Sequence, residues 1–424
     1  MDKTLLKKTV MQSLALLLAV IVISLAVGRN NAVIISATDD EDEISHYTTE
    51  TDIEKNDYGK EGEAGFSDKH DMTGTAGKIR LMFSDFGNDP NNNITDQLGN
   101  RFIIIKKPAG EELRIQLEDI YIARQLKLII SGYTKESIDD TFIGRICEDE
   151  AFIGEPGFEK NGNIILDVGG TYLTTAGGNY GKDPVNSIYI ENRTDDSGYN
   201  IHEIVLDLDH VYVYSLYEDE KFYYIDLKRP KEVYDKIVVI DAGHGGKDPG
   251  AVSKDEKVYE KSINLDILYE LKELLDKDNV KVYYTRTVDE TLYLRPRVTL
   301  ANDVDCDFFI SIHCNSSHKS NPDGTEILYY DHENNNIKTE DFAVILSEEI
   351  EKNVSLKNNG ILQMRDDDIF ILANAKVPAV IVETGYISNP ADLSYLQSKA
   401  GQHDIAEGIY NGIWRAYKEL KEYR

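Results

Sequence analysis

Four residues whose side chains bind metals or move protons stand where predicted segments begin or end. His244 and His313 each follow an apolar run, Glu383 follows another, and Glu260 opens an amphipathic segment. Two imidazoles and one carboxylate are the usual ligand set of a catalytic zinc ion, which keeps a fourth position for water. Such an ion acidifies the water and polarises a carbonyl, and a second carboxylate can carry the water's proton to a leaving amine. These residue types therefore indicate metal-dependent hydrolysis of an amide, provided that the fold brings them together.

The loop that carries His244 reads DAGHGGKDPG (241–250) and is rich in glycine. A dinucleotide fingerprint requires G-x-G-x-x-G and a P-loop requires G-x-x-x-x-G-K-[ST], and the spacing here fits neither. Asp241 and Asp248 would also repel a phosphate group. We therefore expect the loop to present His244 to a ligand rather than to cradle a phosphate.

Strand and helix patterns alternate through the C-terminal half of the chain. Apolar strands are predicted at 236–240, 281–286, 307–313, 326–330 and 378–386, and amphipathic helices at 259–278, 294–303, 341–354 and 402–420. This alternation is typical of an α/β fold with a doubly wound sheet. Because ligands bind at the carboxyl ends of the strands in such sheets, we expect the four residues to meet at one edge.

Several motifs in this half resemble a known family. In chain order they are DAGHGGKDPGA, YEKSINL, RVTLAND, DFFISIHCN and PAVIVETGYISNPAD, between about residues 236 and 420. Together they resemble the zinc-dependent N-acetylmuramoyl-L-alanine amidases of the amidase_3 type, which cleave bacterial cell wall. The resemblance implies a twisted, mostly parallel sheet flanked by helices, placed at residues 231–424. It implies peptidoglycan as the substrate and hydrolysis of the amide between N-acetylmuramic acid and L-alanine.

The resemblance also implies individual roles. His244, Glu260 and His313 would bind one Zn²⁺ per catalytic domain, and Glu383 would be the catalytic glutamate. Three further residues are candidates for supporting the ligands or contacting the substrate. Asp241 or Asn315 could orient an imidazole by accepting a proton from its second nitrogen. Arg297 could either pack its helix or face the substrate.

Residues 77–230 are predicted to form a β-rich, sandwich-like domain. They contain short runs of β-branched and aromatic residues, such as FIIIKK and KFYYIDL, separated in places by Asn-Gly or Gly-Gly turns. No cluster of acids and histidines stands out among them. Their position before the predicted catalytic domain suggests an accessory role, for example in wall targeting.

The N-terminal segments predict the compartment. Residues 9–28 carry no charge, follow Lys3, Lys7 and Lys8, and are long enough to cross a bilayer. Residues 1–28 are thus predicted to be a membrane anchor, with a cleaved signal peptide as the alternative. Residues 29–76, acidic and without apolar periodicity, are predicted to be a disordered linker. Both interpretations place the protein outside the cytoplasm, either on the outer face of the membrane or secreted to the wall.

Composition narrows the class of partner. The 424 residues include 46 basic and 76 acidic ones, a formal net charge of -30, which argues against nucleic acid as the main ligand. The three cysteines have no C-x-x-C spacing, so no disulfide framework is predicted; Cys314, beside His313, could be a nucleophile but is better read as a buried apolar filler. Two alternatives to the amidase stay open: another zinc peptidase acting on the stem peptide, and a catalytically silent wall-binding or regulatory protein. A requirement for an activator protein is also open.

Overall fold

A computed structural model describes residues 78–81, 98–99, 101–146, 156–160, 163–166, 184–318, 321–331, 339–365 and 369–420. The predicted membrane segment (1–28) and acidic linker (29–76) lie outside these residues. Within the described ranges, no helix has both the length and the apolar character needed to cross a bilayer.

The N-terminal part of the described chain is a β-rich part made of antiparallel strands. They are β1 (Lys78–Leu81), β2 (Phe102–Lys106), β3 (Gly110–Ile120), β4 (Gln125–Thr134), β5 (Ile143–Ile146), β6 (Pro156–Lys160), β7 (Asn163–Leu166), β8 (Val185–Thr194), β9 (Asn200–Leu208), β10 (Val213–Glu218) and β11 (Phe222–Lys228). One sheet has the order β1-β3-β4-β9-β8 and another the order β10-β11-β2-β5, while β6 pairs with β7. Turns of 3₁₀ helix lie at Tyr121–Ala123 and Asp140–Phe142.

The two larger sheets enclose one hydrophobic core. In β4 every second residue is buried, beginning with Leu126 and Leu128, and β9 repeats this alternation with Ile204 and Leu206. These residues share a cluster with Ile225 and other inward side chains of the second sheet. Alternation of this kind buries one face of each sheet and leaves the other to solvent. The prediction of a sandwich-like, β-rich part is therefore confirmed.

The C-terminal part is an α/β part. Its strands are β12 (Ile237–Ala242), β13 (Lys281–Tyr284), β14 (Phe308–Asn315), β15 (Thr325–Tyr329), β16 (Asn358–Gln363) and β17 (Ala379–Tyr386). Its helices are α1 (Pro230–Val233), α2 (Glu260–Leu275), α3 (Leu294–Asp303), α4 (Thr339–Asn353), α5 (Phe370–Asn374), α6 (Pro390–Leu396) and α7 (Lys399–Glu419). The strand order is β13-β12-β14-β17-β15-β16, and all neighbours are parallel except β15 and β17. The predicted mostly parallel sheet flanked by helices is confirmed.

Helices cover both faces of this sheet, which explains why its central strands are apolar on both sides. Strand β12 is buried along its whole length. One cluster joins the sheet to α2, α4 and α7, and another joins it to α3 and α5. The central strands β12, β14 and β17 end at the same edge, where His244, His313 and Glu383 occur. Strand β16 and helix α5 were not predicted because both are short and β16 has no continuous apolar run.

Candidate metal centre

His244, Glu260 and His313 converge at the carboxyl edge of the central strands. One ligand atom from each lies within 4.8 Å of the others. Nε2 of His244 is 3.3 Å from Oε2 of Glu260, and Nδ1 of His313 is 2.9 Å from Oε1 of Glu260. The two imidazole rings meet edge to face, with centroids 4.9 Å apart. The fold thus brings together three of the four residues whose types suggested metal chemistry.

The donor set fits a zinc ion. Two imidazole nitrogens and a carboxylate are a common zinc ligand set, and bonds of about 2.0–2.2 Å to zinc separate neighbouring ligand atoms by about 3.3 Å. The measured separations of 3.3 and 2.9 Å around Glu260 are close to that value. Each oxygen of Glu260 faces one of the two imidazoles, so the three groups form a compact set of donors.

The loop geometry depends on two glycines that stand against the converging side chains. A Cβ on Gly243 would lie 2.3 Å from Cε1 of His313, and a Cβ on Gly250 would lie 2.5 Å from Oε2 of Glu260. Gly250 also has a φ of +67°, in the region that favours glycine. His244 itself has a φ of 62°, which is uncommon for a residue with a Cβ and costs about 1 kcal/mol or more. The loop therefore places His244 in a strained conformation that its surroundings must hold.

Glu260 is held rigidly at the first residue of α2. Its Oε2 accepts a hydrogen bond from the Ala251 N–H (2.7 Å), and its Oε1 accepts one from the Cys314 N–H (3.0 Å). The N-terminus of a helix also favours a negative charge. Burial acts to raise the pKa of this carboxyl, but hydrogen bonds and charge interactions with the two imidazoles hold it well below its ordinary value. Glu260 is therefore a buried, ionised carboxylate facing both histidines.

Asp248 is a functional candidate that the sequence analysis missed. Its Oδ2 lies 2.8 Å from Nδ1 of His244, on the opposite side of the ring from Glu260. Burial lowers the pKa of His244, but hydrogen bonds with Glu260 and Asp248 outweigh this effect and raise it to about 9. A carboxylate on one ring nitrogen leaves the other to bind a metal and makes it more basic. The four-residue spacing from His244 within one loop was the available signal.

Asp241 and Asn315 are placed differently from the expectation for them. Within the described residues, no hydrogen bond joins Asp241 or Asn315 to an imidazole. Oδ2 of Asp241 accepts from the Ser311 hydroxyl, and its Oδ1 accepts from the Arg297 guanidinium at 2.6 Å. Oδ1 of Asn315 accepts from the Ser316 N–H. The orienting carboxylate for His244 is Asp248 instead, because Asp241 lies beneath the loop at the buried end of β12.

Arg297 is a buried packing residue with 1% of its surface exposed. Its guanidinium donates to Asp241, to the Ala242 carbonyl (2.7 Å) and to the His244 carbonyl (2.6 Å). Arg286, also fully buried, donates to the Ala242 and Gly243 carbonyls. The two guanidiniums donate hydrogen bonds to main-chain carbonyl groups on the buried side of the loop. Arg297 is thus packed against the loop, and it also borders the cavity beside the imidazoles, so both roles considered for it remain predictions.

Glu383 lies beside the three converging residues, opposite His313 in the parallel pairing of β14 and β17. Its Oε2 is buried and has no hydrogen-bond partner among the described residues. Burial raises the pKa of Glu383 to about 7, and His313 opposes this rise while Glu260 and Glu326 add to it. A carboxyl with a pKa near neutrality and an unpartnered oxygen is suited to accept and return a proton. Glu326, on β15, is a second functional candidate that the sequence analysis missed, because it acts on the pKa of Glu383.

A cavity of about 410 Å³ opens beside the two imidazoles. The side chains around it include His244, His313, Lys247, Tyr293, Leu294 and Ile371. Tyr293 is 77% exposed at the rim. The volume is within the range of small-molecule sites, and the lining combines apolar side chains with several polar and charged ones, among them Asp248 and Arg297. Cys314 is excluded as a nucleophile, because it is buried and burial raises the pKa of its thiol well above its ordinary value.

Comparison with known proteins gives a consistent result. Residues 238–415 match the family model Amidase_3, described as N-acetylmuramoyl-L-alanine amidase. The germination-specific N-acetylmuramoyl-L-alanine amidase of Bacillus subtilis strain 168 is 30% identical over 198 residues, covering 43% of this chain and 81% of the relative. The probable cell wall amidase LytH of Staphylococcus saprophyticus is 36% identical over 188 residues, covering 44% of this chain and 60% of the relative. The chain thus spans only part of the staphylococcal relative's length.

Among solved structures, an N-acetylmuramoyl-L-alanine amidase from Clostridium difficile 630 is similar, with 30% identity. The match covers 43% of this chain and 97% of that chain, and the TM-score is 0.41. The residues matched by the family model coincide with the α/β part and contain all of the converging residues.

Proposed function

The chain belongs to the N-acetylmuramoyl-L-alanine amidase family, and we propose that its α/β part hydrolyses the amide between N-acetylmuramic acid and the L-alanine of the peptidoglycan stem peptide. We assign His244, Glu260 and His313 as the ligands of one zinc ion and Glu383 as the general base. The observation that carries this proposal is the convergence of the three ligand groups within 4.8 Å at the strand edge that also holds Glu383.

The chemistry divides between the cofactor and the chain. A bound zinc ion supplies a Lewis acid that polarises the scissile carbonyl and acidifies water. Glu383 removes the proton from the attacking water and returns it to the leaving amine, for which a pKa of about 7 is suitable. Asp248 orients the His244 imidazole, and the N–H groups of Ala251 and Cys314 fix the Glu260 carboxylate, so that the donors are preorganised before substrate binds. The cavity beside the imidazoles would receive the groups next to the scissile bond.

The test is a paired measurement on the full chain. Zinc per chain is measured by elemental mass spectrometry, and digested peptidoglycan is analysed for new lactyl ends and new L-alanyl amino groups. We expect about one zinc per chain, from the single ligand set in the described residues, and both kinds of end. Glu383→Gln serves as the matched variant, which should keep the zinc and lose hydrolysis by about 10²–10⁴-fold.

The same measurement separates the two alternatives. Release of terminal amino acids without lactyl ends would identify a zinc peptidase acting on the stem peptide. Zinc binding without either product would support a silent wall-binding or regulatory protein, or one that requires an activator. Absence of zinc would remove the ligand assignment.

We propose an extracytoplasmic location, because peptidoglycan lies outside the membrane. The uncharged segment 9–28, with its basic N-terminal flank, would anchor the chain to the outer face of the membrane unless it is cleaved. The β-rich part, 77–230, would act as an accessory domain beside the catalytic domain, 231–424. Extraction of membranes with alkaline carbonate tests the anchor: a retained anchor keeps the chain in the pellet, and a cleaved one releases it.

A further inference from the structure

The β-rich part and the α/β part share one hydrophobic cluster. Tyr121 and Val211, from the β-rich part, are buried in the same cluster as Val298 and Val304 at helix α3. The Tyr121 hydroxyl donates to the Tyr284 carbonyl at 2.8 Å, and its ring packs edge to face on Tyr283. The two parts pack into one compact unit. The β-rich part is therefore built onto the α/β part at α3, in contrast to a module held by a flexible linker.

The centre of this contact is Asp303, the last residue of α3. Only 7% of Asp303 is exposed. Its Oδ2 accepts from the Val211 N–H at 2.5 Å and lies 3.1 Å from Nε of Arg124. Arg229 donates from Nη2 to the Asp303 main-chain carbonyl at 2.5 Å and lies 3.4 Å from its Oδ1. A buried carboxylate with several charged and backbone donors is a strong, directional contact, and a cation at the end of a helix also complements its dipole.

The N-terminal end of α3 contacts the loop that carries His244. Arg297, in the first turn of α3, donates to the main-chain carbonyl of His244 at 2.6 Å. His244 has the unfavourable φ of 62°, so its conformation persists only while neighbouring groups hold it. Helix α3 has ten residues and is about 15 Å long, and rigid secondary elements of this kind can carry coupling between groups at their two ends. A shift of its C-terminal end is therefore transmitted to Arg297 and from there to the His244 backbone.

We propose that Asp303 is a positioning residue for the metal centre. Through the contacts of Asp303, the β-rich part fixes the position of α3 and thereby holds the His244 loop in its metal-binding conformation. This assigns the β-rich part a direct role in the site, in addition to any role in wall binding. The proposal rests on the proposed function in so far as it concerns zinc, but the conformation of the loop can be measured without metal.

The test uses three variants of the full chain. Asp303→Asn keeps an acceptor for the Val211 N–H but removes the charge that faces Arg124 and Arg229. Arg124→Gln weakens the same contact from the partly exposed side and leaves Asp303 in place. Glu218→Gln is the control, because it removes an ion pair with Lys107 (2.6 Å) that lies within the β-rich part.

The first readout is hydrogen exchange in the metal-free protein. The N–H groups of Gly243, Gly245 and Gly246 donate hydrogen bonds, so their exchange reports opening of the His244 loop. We expect about tenfold faster exchange at residues 243–250 in Asp303→Asn and Arg124→Gln, with exchange in β14 unchanged. The second readout is zinc affinity, by competition with a chelator, which should weaken about tenfold in both variants. Glu218→Gln should match the wild type in both.

Two results would overturn the proposal. One is unchanged loop exchange in both Asp303→Asn and Arg124→Gln. The other is an equal increase in Glu218→Gln, which would indicate general destabilisation. If the wild-type chain bound no zinc, the proposed function would fail, while the exchange measurement would still decide the role of Asp303.

Discussion

Glu383 and Glu326 are directly opposed residues of the antiparallel strands β17 and β15. Side chains of opposed residues point to the same face of a sheet, so two carboxyl groups lie next to each other beside the candidate metal centre. Burial raises the pKa of both, and Glu326 adds to the rise at Glu383. Since like charges at this spacing cannot both ionise freely, Glu326 acts to keep Glu383 a weak enough acid to exchange protons near neutral pH.

Substitution of Glu326 should shift the pH dependence of hydrolysis. Glu383 must be ionised to act as a base, and its pKa of about 7 places the acid limb of the profile near or below that pH, since a bound cation lowers it. Glu326→Gln removes a facing negative charge, lowers the pKa of Glu383 and moves the acid limb to lower pH. The measurement is kcat/KM between pH 5 and 9. An unmoved acid limb would show that Glu326 does not influence the base.

Glu383→Gln should stabilise the metal-free chain at high pH. Between the ordinary pKa of 4.5 and about 7, the folded chain keeps a proton on Glu383 that the unfolded chain has released, so stability falls as pH rises through this interval. Above pH 7 the ionised group costs at most about 3 kcal/mol, and less to the extent that solvent reaches the half-buried side chain. Urea unfolding should show the variant more stable than wild type at pH 8, with the difference fading toward pH 4.

The surface substitution Glu407→Gln is the control for this stability prediction, because Glu407 is exposed on α7. It should leave stability unchanged at both pH values. A Glu383→Gln chain no more stable than wild type at pH 8 would mean that the folded state does not hold the proton on Glu383.

His244→Ala should abolish stoichiometric zinc binding, because the remaining Glu260 and His313 offer only two ligand groups. The matched control is His403→Ala, since His403 lies at the surface of α7 and pairs with Glu270. Zinc per chain, measured after dialysis, should fall only in the first variant. Normal zinc content in His244→Ala would remove His244 from the ligand set.

Asp248→Asn should weaken zinc binding without unfolding the chain. The substitution removes the charge that faces Nδ1 of His244 at 2.8 Å, and loss of such a partner typically lowers metal affinity about 10–100-fold. Asp255→Asn, in an exposed position of the loop before α2, is the control and should retain wild-type affinity. Competition with a chelator measures both. Equal affinities would show that Asp248 does not orient the imidazole.

Gly243→Ala should displace His313, because the new methyl group would lie 2.3 Å from the imidazole Cε1. We expect loss of zinc and of hydrolysis, since the His313 ring must leave its place beside Glu260 to make room for the methyl group. Gly198→Ala is the comparison, because its Cβ meets nothing within 4 Å and its strain is confined to a distant turn. Retained zinc binding in Gly243→Ala would mean that the loop can move away from His313.

Much of the α/β part follows from the sequence, for physical reasons. Helix α3 was predicted at its observed bounds, 294–303, and the apolar runs before His244 and His313 predicted buried parallel strands. Strands of a parallel sheet are buried on both faces, so continuous apolar runs indicate them. Their carboxyl ends meet at one edge of the sheet. The gathering of His244, His313 and Glu383 at that edge could therefore be anticipated. The alternation of the β-rich strands likewise predicted two packed sheets.

Only the tertiary structure revealed the partners of these residues. Asp248 was interpreted as an obstacle to phosphate, and Glu326 was one acid among 76 acidic residues, because sequence does not show which carboxylates face each other across strands or a loop. The hydrogen bonds of Arg297 to Asp241 and to the carbonyl groups of the His244 loop could not be read from the sequence either. Asp303 contacts Arg124, Val211 and Arg229, which lie in segments far apart from it in the chain. Local patterns determine elements, whereas contacts between distant segments depend on how the elements pack.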